Sequence, residues 1–200
     1  MRKSIMIAVL FGMVFFSTKV WSGSHDVFVF SDKNKTTVQA ESWSNMAGPL
    51  ELGGYFKVNM PKKESLDDYF SEAYIDYLPI KLGPAEIGVG GNAEIKTGSK
   101  ILYRANLSAK FGPFFLRYAP MQSDQNHKLS LCWFWEKNNF QLFGYINHNL
   151  MKNQKALNVS ECYIGYRVIK HTVLFVGAKP IWIHGQAVKI APGVGIKFDF

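Results

Sequence analysis

The chain has only two cysteines in 200 residues. Cys132 and Cys162 fall on opposite faces of non-neighbouring strands in the reading given below, which excludes a disulfide framework. Long apolar runs are also missing. The one such run spans residues 5–16, too short to cross a bilayer as a helix, and no later segment reaches spanning length. Helical periodicity of any comparable length is absent after residue 22, which excludes a bundle. Acids are fewer than bases, 15 against 23, for a formal charge of +8. The bases are scattered along the chain and form no cluster, so nucleic acid is not an expected partner. Anionic lipid head groups suit the surplus better. The glycines of Gly88-Val89-Gly90-Gly91 precede no helix and make no dinucleotide fingerprint. No cofactor is expected.

What is present begins at the N-terminus. Arg2 and Lys3 precede the apolar run, and polar Ser17, Thr18 and Lys19 lead to Val20-Trp21-Ser22. This is the layout of a secretory signal peptide, with cleavage expected after Ser22. The remainder is one domain by size and rich in aromatics, with 16 Phe, 9 Tyr and 5 Trp, which favour half-buried pleated surfaces. Residues 23–48 are read as a periplasmic arm, a plug or an extra strand pair, and 49–200 as the main domain.

From residue 50 the pattern alternates with the period of a strand. Strands are expected at 50–59, 70–79, 85–96, 101–111, 114–119, 129–136, 140–147, 158–168, 173–183 and 187–200. Ile87, Val89, Ala93 and Ile95 oppose Glu86, Asn92 and Glu94; Tyr103 and Leu107 oppose Arg104, Asn106 and Lys110. The last stretch sets Val188, Ile190, Val194, Ile196, Phe198 and Phe200 against Lys189, Gly193, Gly195, Lys197 and Asp199. The connections alternate too. Leu82-Gly83-Pro84, Gly112-Pro113, Lys137-Asn138-Asn139 and Ile169-Lys170 are tight turns, while 60–69, 120–128 and 148–157 are longer polar links. Short turns on one side and longer loops on the other, with one greasy and one polar face, describe a transmembrane barrel. The expected fold is an all-β, antiparallel, up-and-down barrel of about ten strands, with eight or twelve as alternatives. A secreted soluble β-sandwich also alternates, but its outer faces would be polar.

Signal peptide, strand series and final strand together resemble the small Gram-negative outer-membrane β-barrel proteins, a class that includes porin-like members. The resemblance implies residence in the bacterial outer membrane, with outer-membrane lipid as surroundings. It also implies a C-terminal assembly signal read by the barrel-assembly machinery, and Gly195, Phe198 and Phe200 match its positions. Gly193 stands where a polar residue is more usual.

The polar face would line the lumen. Glu72, Asp76, Glu86, Glu94, Arg104, Lys110, Arg117, Glu161, Arg167 and Lys189 are the main candidates, with Tyr74, Phe115, Phe134, Phe143, Tyr145 and Tyr163 adding bulk. Their near-balanced signs favour pairing across a narrow interior. Trp133, Trp135, Tyr118, Tyr166 and Trp182 read as lipid-facing anchors. The leading function is non-enzymatic, in surface interaction or envelope stability, with the external ligand left open. One alternative is a hydrolase at the loop-side rim, where His127, His148 and His184 fall near Ser123 and Asp124. Barrel lipases carry a His-x-Ser pairing, which Asn147-His148-Asn149 and His184-Gly185-Gln186 lack. Asp124-Gln125-Asn126-His127 likewise departs from the omptin-type protease pattern. The other alternative is a narrow channel for small solutes, with Arg104, Lys110 and Arg117 as its basic lining.

Overall fold

The computed structural model describes residues 23–45, 48–61, 68–122, 126–150 and 156–199. The expected signal peptide, Ser123, Asp124 and Phe200 lie outside these. Twelve strands follow one another: β1 (Gly23–Asp32), β2 (Lys35–Asn45), β3 (Leu50–Pro61), β4 (Asp68–Leu82), β5 (Ala85–Lys96) and β6 (Leu102–Phe111). They continue as β7 (Phe114–Gln122), β8 (His127–Lys137), β9 (Phe140–Leu150), β10 (Leu157–Ile169), β11 (Thr172–Ile183) and β12 (Lys189–Asp199). Each pairs antiparallel with its sequence neighbour, and β1 pairs with β12 from Asp26↔Asp199 to Asp32↔Gly193, which closes the ring.

The strand number is therefore twelve, one of the two alternatives to the ten that the pattern favours. The two further strands come from residues 23–45. The alternation of β1 is masked because its middle is apolar on both faces: Val27 and Val29 point outward while Phe28 and Phe30 are buried inside, between Asp26 and Asp32. A second correction is at Pro120, which the pattern assigns to a loop. Strand β7 instead runs through it, and the β6–β7 register shifts between Ala105 and Leu107 to absorb the irregularity. Pro79 in β4 is handled alike, by a shift between Tyr77 and Ile80, because proline gives the ladder no donor.

Two-residue hairpins close one end, the turn side. Gly83 and Gly112 open two of them at φ 59° and 52°, each followed by proline, as the primed hairpin turns require. Strands β2 and β3 also join on this side, and the other connections, longer apart from the one between β1 and β2, define the loop side.

The outer wall is apolar at mid-height. Val89, Leu107, Val176 and Val194 are 56–61% exposed, a continuous band that water would penalise. Tyr69, Tyr103 and Tyr118 are exposed near the loop side, and Tyr77, Phe111, Phe114, Trp135, Phe140 and Tyr166 near the turn side. This pair of aromatic girdles flanking an aliphatic band is the surface of a barrel in lipid. Trp133 and Trp182 are half-buried. Cys132 faces inward and Cys162 is exposed outside, both as free thiols.

Inside, glycines make room for rings. A Cβ on Gly195 would lie 2.3 Å from the Phe175 ring and 2.4 Å from the Val29 carbonyl oxygen. Gly195→Val should therefore displace Phe175 and cost about 1–3 kcal/mol. A drop in the urea midpoint for loss of the folded, heat-modifiable band would register it, and an unchanged midpoint would contradict the packing.

Candidate functional site

Because side chains alternate along each strand, every second residue enters the lumen, and the polar set predicted from the sequence arrives there. Among the described residues this gives five charged clusters. In the first, Glu72 accepts from Lys128 Nζ at 3.0 and 3.2 Å, from the Tyr55 hydroxyl at 3.2 Å and from the Asn92 amide. Arg104 joins by reaching Glu72 at 3.5 Å and Glu94 at 2.7 Å. In the second, Arg117 donates twice to Asp76, at 3.0 and 2.7 Å, while Ser108 and Asn106 donate to the other oxygen. The Arg117 guanidinium also lies 4.2 Å from the Tyr74 ring centre and 4.0 Å from that of Phe115.

The third cluster crosses the barrel. Lys57 on β3 donates to Glu161 on β10 at 2.8 Å, although β2, β1, β12 and β11 lie between those strands on one side of the ring. Both side chains are under 10% exposed. Tyr163 donates to the other Glu161 oxygen at 2.8 Å, and Lys179 stands 3.7 Å away, donating to Thr37. Such a pair repays its desolvation only when its remaining valences are met, and here they are.

The fourth cluster lies toward the turn side. Arg167 bridges Glu136 at 2.8 Å and Asp199 at 2.5 Å, and Lys197 contacts Asp199 at 3.1 Å and Asp26 at 3.3 Å. Lys110 pairs with Glu51 in the fifth. Beside these charges packs a ring cluster of Phe28, Phe30, Phe143, Tyr163 and Phe175, with centroids 5.1–6.2 Å apart.

Two predicted lumen residues stand apart. Glu86 is at the turn-side mouth with exposed Lys81, 3.4 Å away, and Lys189 is exposed at the loop-side start of β12. Among the described residues, inward charges that were not predicted include Asp26, Asp32 and Glu41 in the first two strands, and Lys128 in what reads as a loop. Between the clusters remains a cavity of about 580 Å³. Its lining runs from Thr37, Asn147 and Lys179 toward the loop side to Glu51, Lys110 and the Gly112-Pro113 turn at the other end.

The three histidines make separate contacts. His127 stacks on Tyr118 and meets its hydroxyl at 3.4 Å. His148 pairs with Asn158 on the neighbouring strand, and the backbone N–H of His184 donates to the Ala156 carbonyl. His127 and His148 lie on adjacent strands, but the ring contacts above bring neither a serine nor an acid to them.

No family model matches the chain, and no curated protein sequence does. Solved structures do match. The KdgM porin superposes with a TM-score of 0.61 at 13% identity, over 88% of this chain and 99% of that one. The KdgM porin in complex with disordered oligogalacturonate gives 0.59 at 14%, with the same coverage. Outer membrane phospholipase A from Escherichia coli gives 0.51 at 13%, over 88% of this chain and 92% of that one. The fold is that of the outer-membrane β-barrels. At such identities the likeness is one of architecture, shared here by a porin and a phospholipase.

Lys57→Met leaves the Glu161 carboxylate short of its nearest cation and should cost about 3–5 kcal/mol. The Lys57→Met/Glu161→Met pair should recover most of that loss, read as urea midpoints in micelles. Equal loss in single and double variants would mean the two groups do not act together.

Proposed function

We propose that the protein resides in the bacterial outer membrane as a barrel whose lumen is held shut by ion pairs, and that it acts without catalysis, in envelope stability or surface interaction. The observation that carries this reading is the Lys57–Glu161 contact across the lumen, reinforced by the clusters around Glu72 and Asp76. Twelve strands enclose more space than the eight whose interior side chains fill unaided, and less than the porins of about 16–18 strands, whose lumen is an aqueous channel. Long charged and aromatic side chains take up that space. The wall then resists collapse while offering solutes no continuous water path.

In this reading the chain reaches the membrane behind the signal peptide at 1–22, and the final strand, with Gly195, Phe198 and Phe200, engages the assembly machinery. The hairpin turns face the periplasm and the longer loops the exterior.

A narrow channel is the second reading, favoured by the cavity and by the likeness to the KdgM porin. Its expected basic lining is neutralised: Arg104 by Glu72 and Glu94, Lys110 by Glu51, and Arg117 by Asp76. A hydrolase at the rim has less support, since the histidines make the separate contacts described.

Planar-bilayer recording separates the first two. The wild-type protein should give no stable unitary conductance, and Lys57→Ala/Glu161→Ala should gain discrete steps. Steady wild-type steps would overturn the closed lumen in favour of the channel.

A further inference from the structure

Of the six carboxylates that line the cavity, five form salt bridges: Asp26 and Asp199 with Lys197, Glu51 with Lys110, Glu136 with Arg167, and Glu161 with Lys57. Glu41 does not. Among the described residues its one recorded donor is the neutral Gln39 amide at 2.9 Å. It sits on β2 at the level of Asp26 and Tyr55, in the middle of the lumen. Counted at formal charge among the described residues, the other groups of the wall cancel with their direct partners, which leaves Glu41 as the one carboxylate in excess.

A carboxylate withdrawn from bulk water with no cation at ion-pair distance is costly. The surroundings fit one way of matching it. Trp43, Tyr55, Tyr74, Phe143, Tyr145 and Tyr163 all line the same cavity. Aromatic faces attract cations, and rings grouped around a negative group are how quaternary ammonium ions are held. The lumen already uses this interaction: Lys57 lies 5.5 Å from the Tyr145 ring centre, Lys179 4.4 Å from Phe30 and Lys197 4.9 Å from Phe134. At about 580 Å³ the space falls in the range of small-molecule pockets, roughly 300–1,000 Å³. Its reach to the Gly112-Pro113 turn gives it a mouth on the turn side.

We propose that this cavity is a binding site for a small organic cation, an alkylated or primary ammonium, whose charge is matched by Glu41 and whose carbon surface packs on the rings. A hydrated inorganic ion would leave the rings unused, and a neutral apolar molecule would leave Glu41 unmatched. The ligand enters from the turn side and stops short of the Lys57–Glu161 crossing.

Calorimetric titration of the full protein in detergent with choline tests this, with 3,3-dimethyl-1-butanol as its uncharged isostere. Choline should bind saturably, and the isostere at least tenfold more weakly. Glu41→Gln should lose tenfold or more in choline affinity while keeping the heat-modifiable folded band, and Glu86→Gln at the mouth should bind as wild type. No choline binding, or equal binding of the isostere, would overturn the proposal, and so would sodium displacing choline at equal concentration. The isostere comparison uses the wild-type protein, so it decides the matter even if Glu41→Gln does not fold. Bilayer conductance reads the closed lumen separately, so either reading can fail alone.

Discussion

Lys57 and Glu161 approach to 2.8 Å from strands on far sides of the ring, and the rest of the interior is arranged so that they can. A lone lysine or glutamate in that position would have to recover its hydration from a water-filled pore. Meeting each other, and with Tyr163 and Lys179 completing the carboxylate's contacts, they let the lumen be filled with side chains instead. The Glu72 and Asp76 clusters apply the same solution on the opposite wall. The ring cluster of Phe28, Phe30, Phe143, Tyr163 and Phe175 fills the space beside it. Ion pairs of this kind add little net stability relative to apolar packing.

The outside obeys the opposite rule. Each strand must present apolar groups to lipid wherever it presents polar ones within, and closing β1 on β12 removes the unpaired edge that lipid could not solvate. The inverted distribution, with valines and leucines exposed and glutamates and arginines buried, is stable in a bilayer. It would not be stable in water.

Much of this could be read from the sequence, because the alternation of β5 and β6 sorts Glu94 and Arg104 from Val89 and Leu107 without ambiguity. The residues it could not deliver share a physical cause. Phe28 and Phe30 interrupt the inward face between Asp26 and Asp32, so β1 shows no continuous polar face to betray it, and Asp26 and Glu41 stay unassigned with it. Lys128 was hidden by Pro120, which reads as a loop and is in fact tolerated at a register shift. The pairing itself was beyond reach: alternation tells which face Lys57 and Glu161 occupy, while their meeting depends on ring closure with twelve strands. The same limit applies to Glu41, which is distinctive only because the five other carboxylates around the cavity form salt bridges and it, among the described residues, accepts only from the neutral Gln39 amide.

The central claim is the direct crossing of the lumen, and solid-state NMR in lipid bilayers reaches it most directly. With lysine labelled at Nζ and glutamate at Cδ, rotational-echo dephasing should show a contact-distance Lys57–Glu161 coupling that vanishes in Lys57→Met. Spectra in which Lys57→Met removes no such coupling would place water between the two groups, and the account of a side-chain-filled barrel would be wrong.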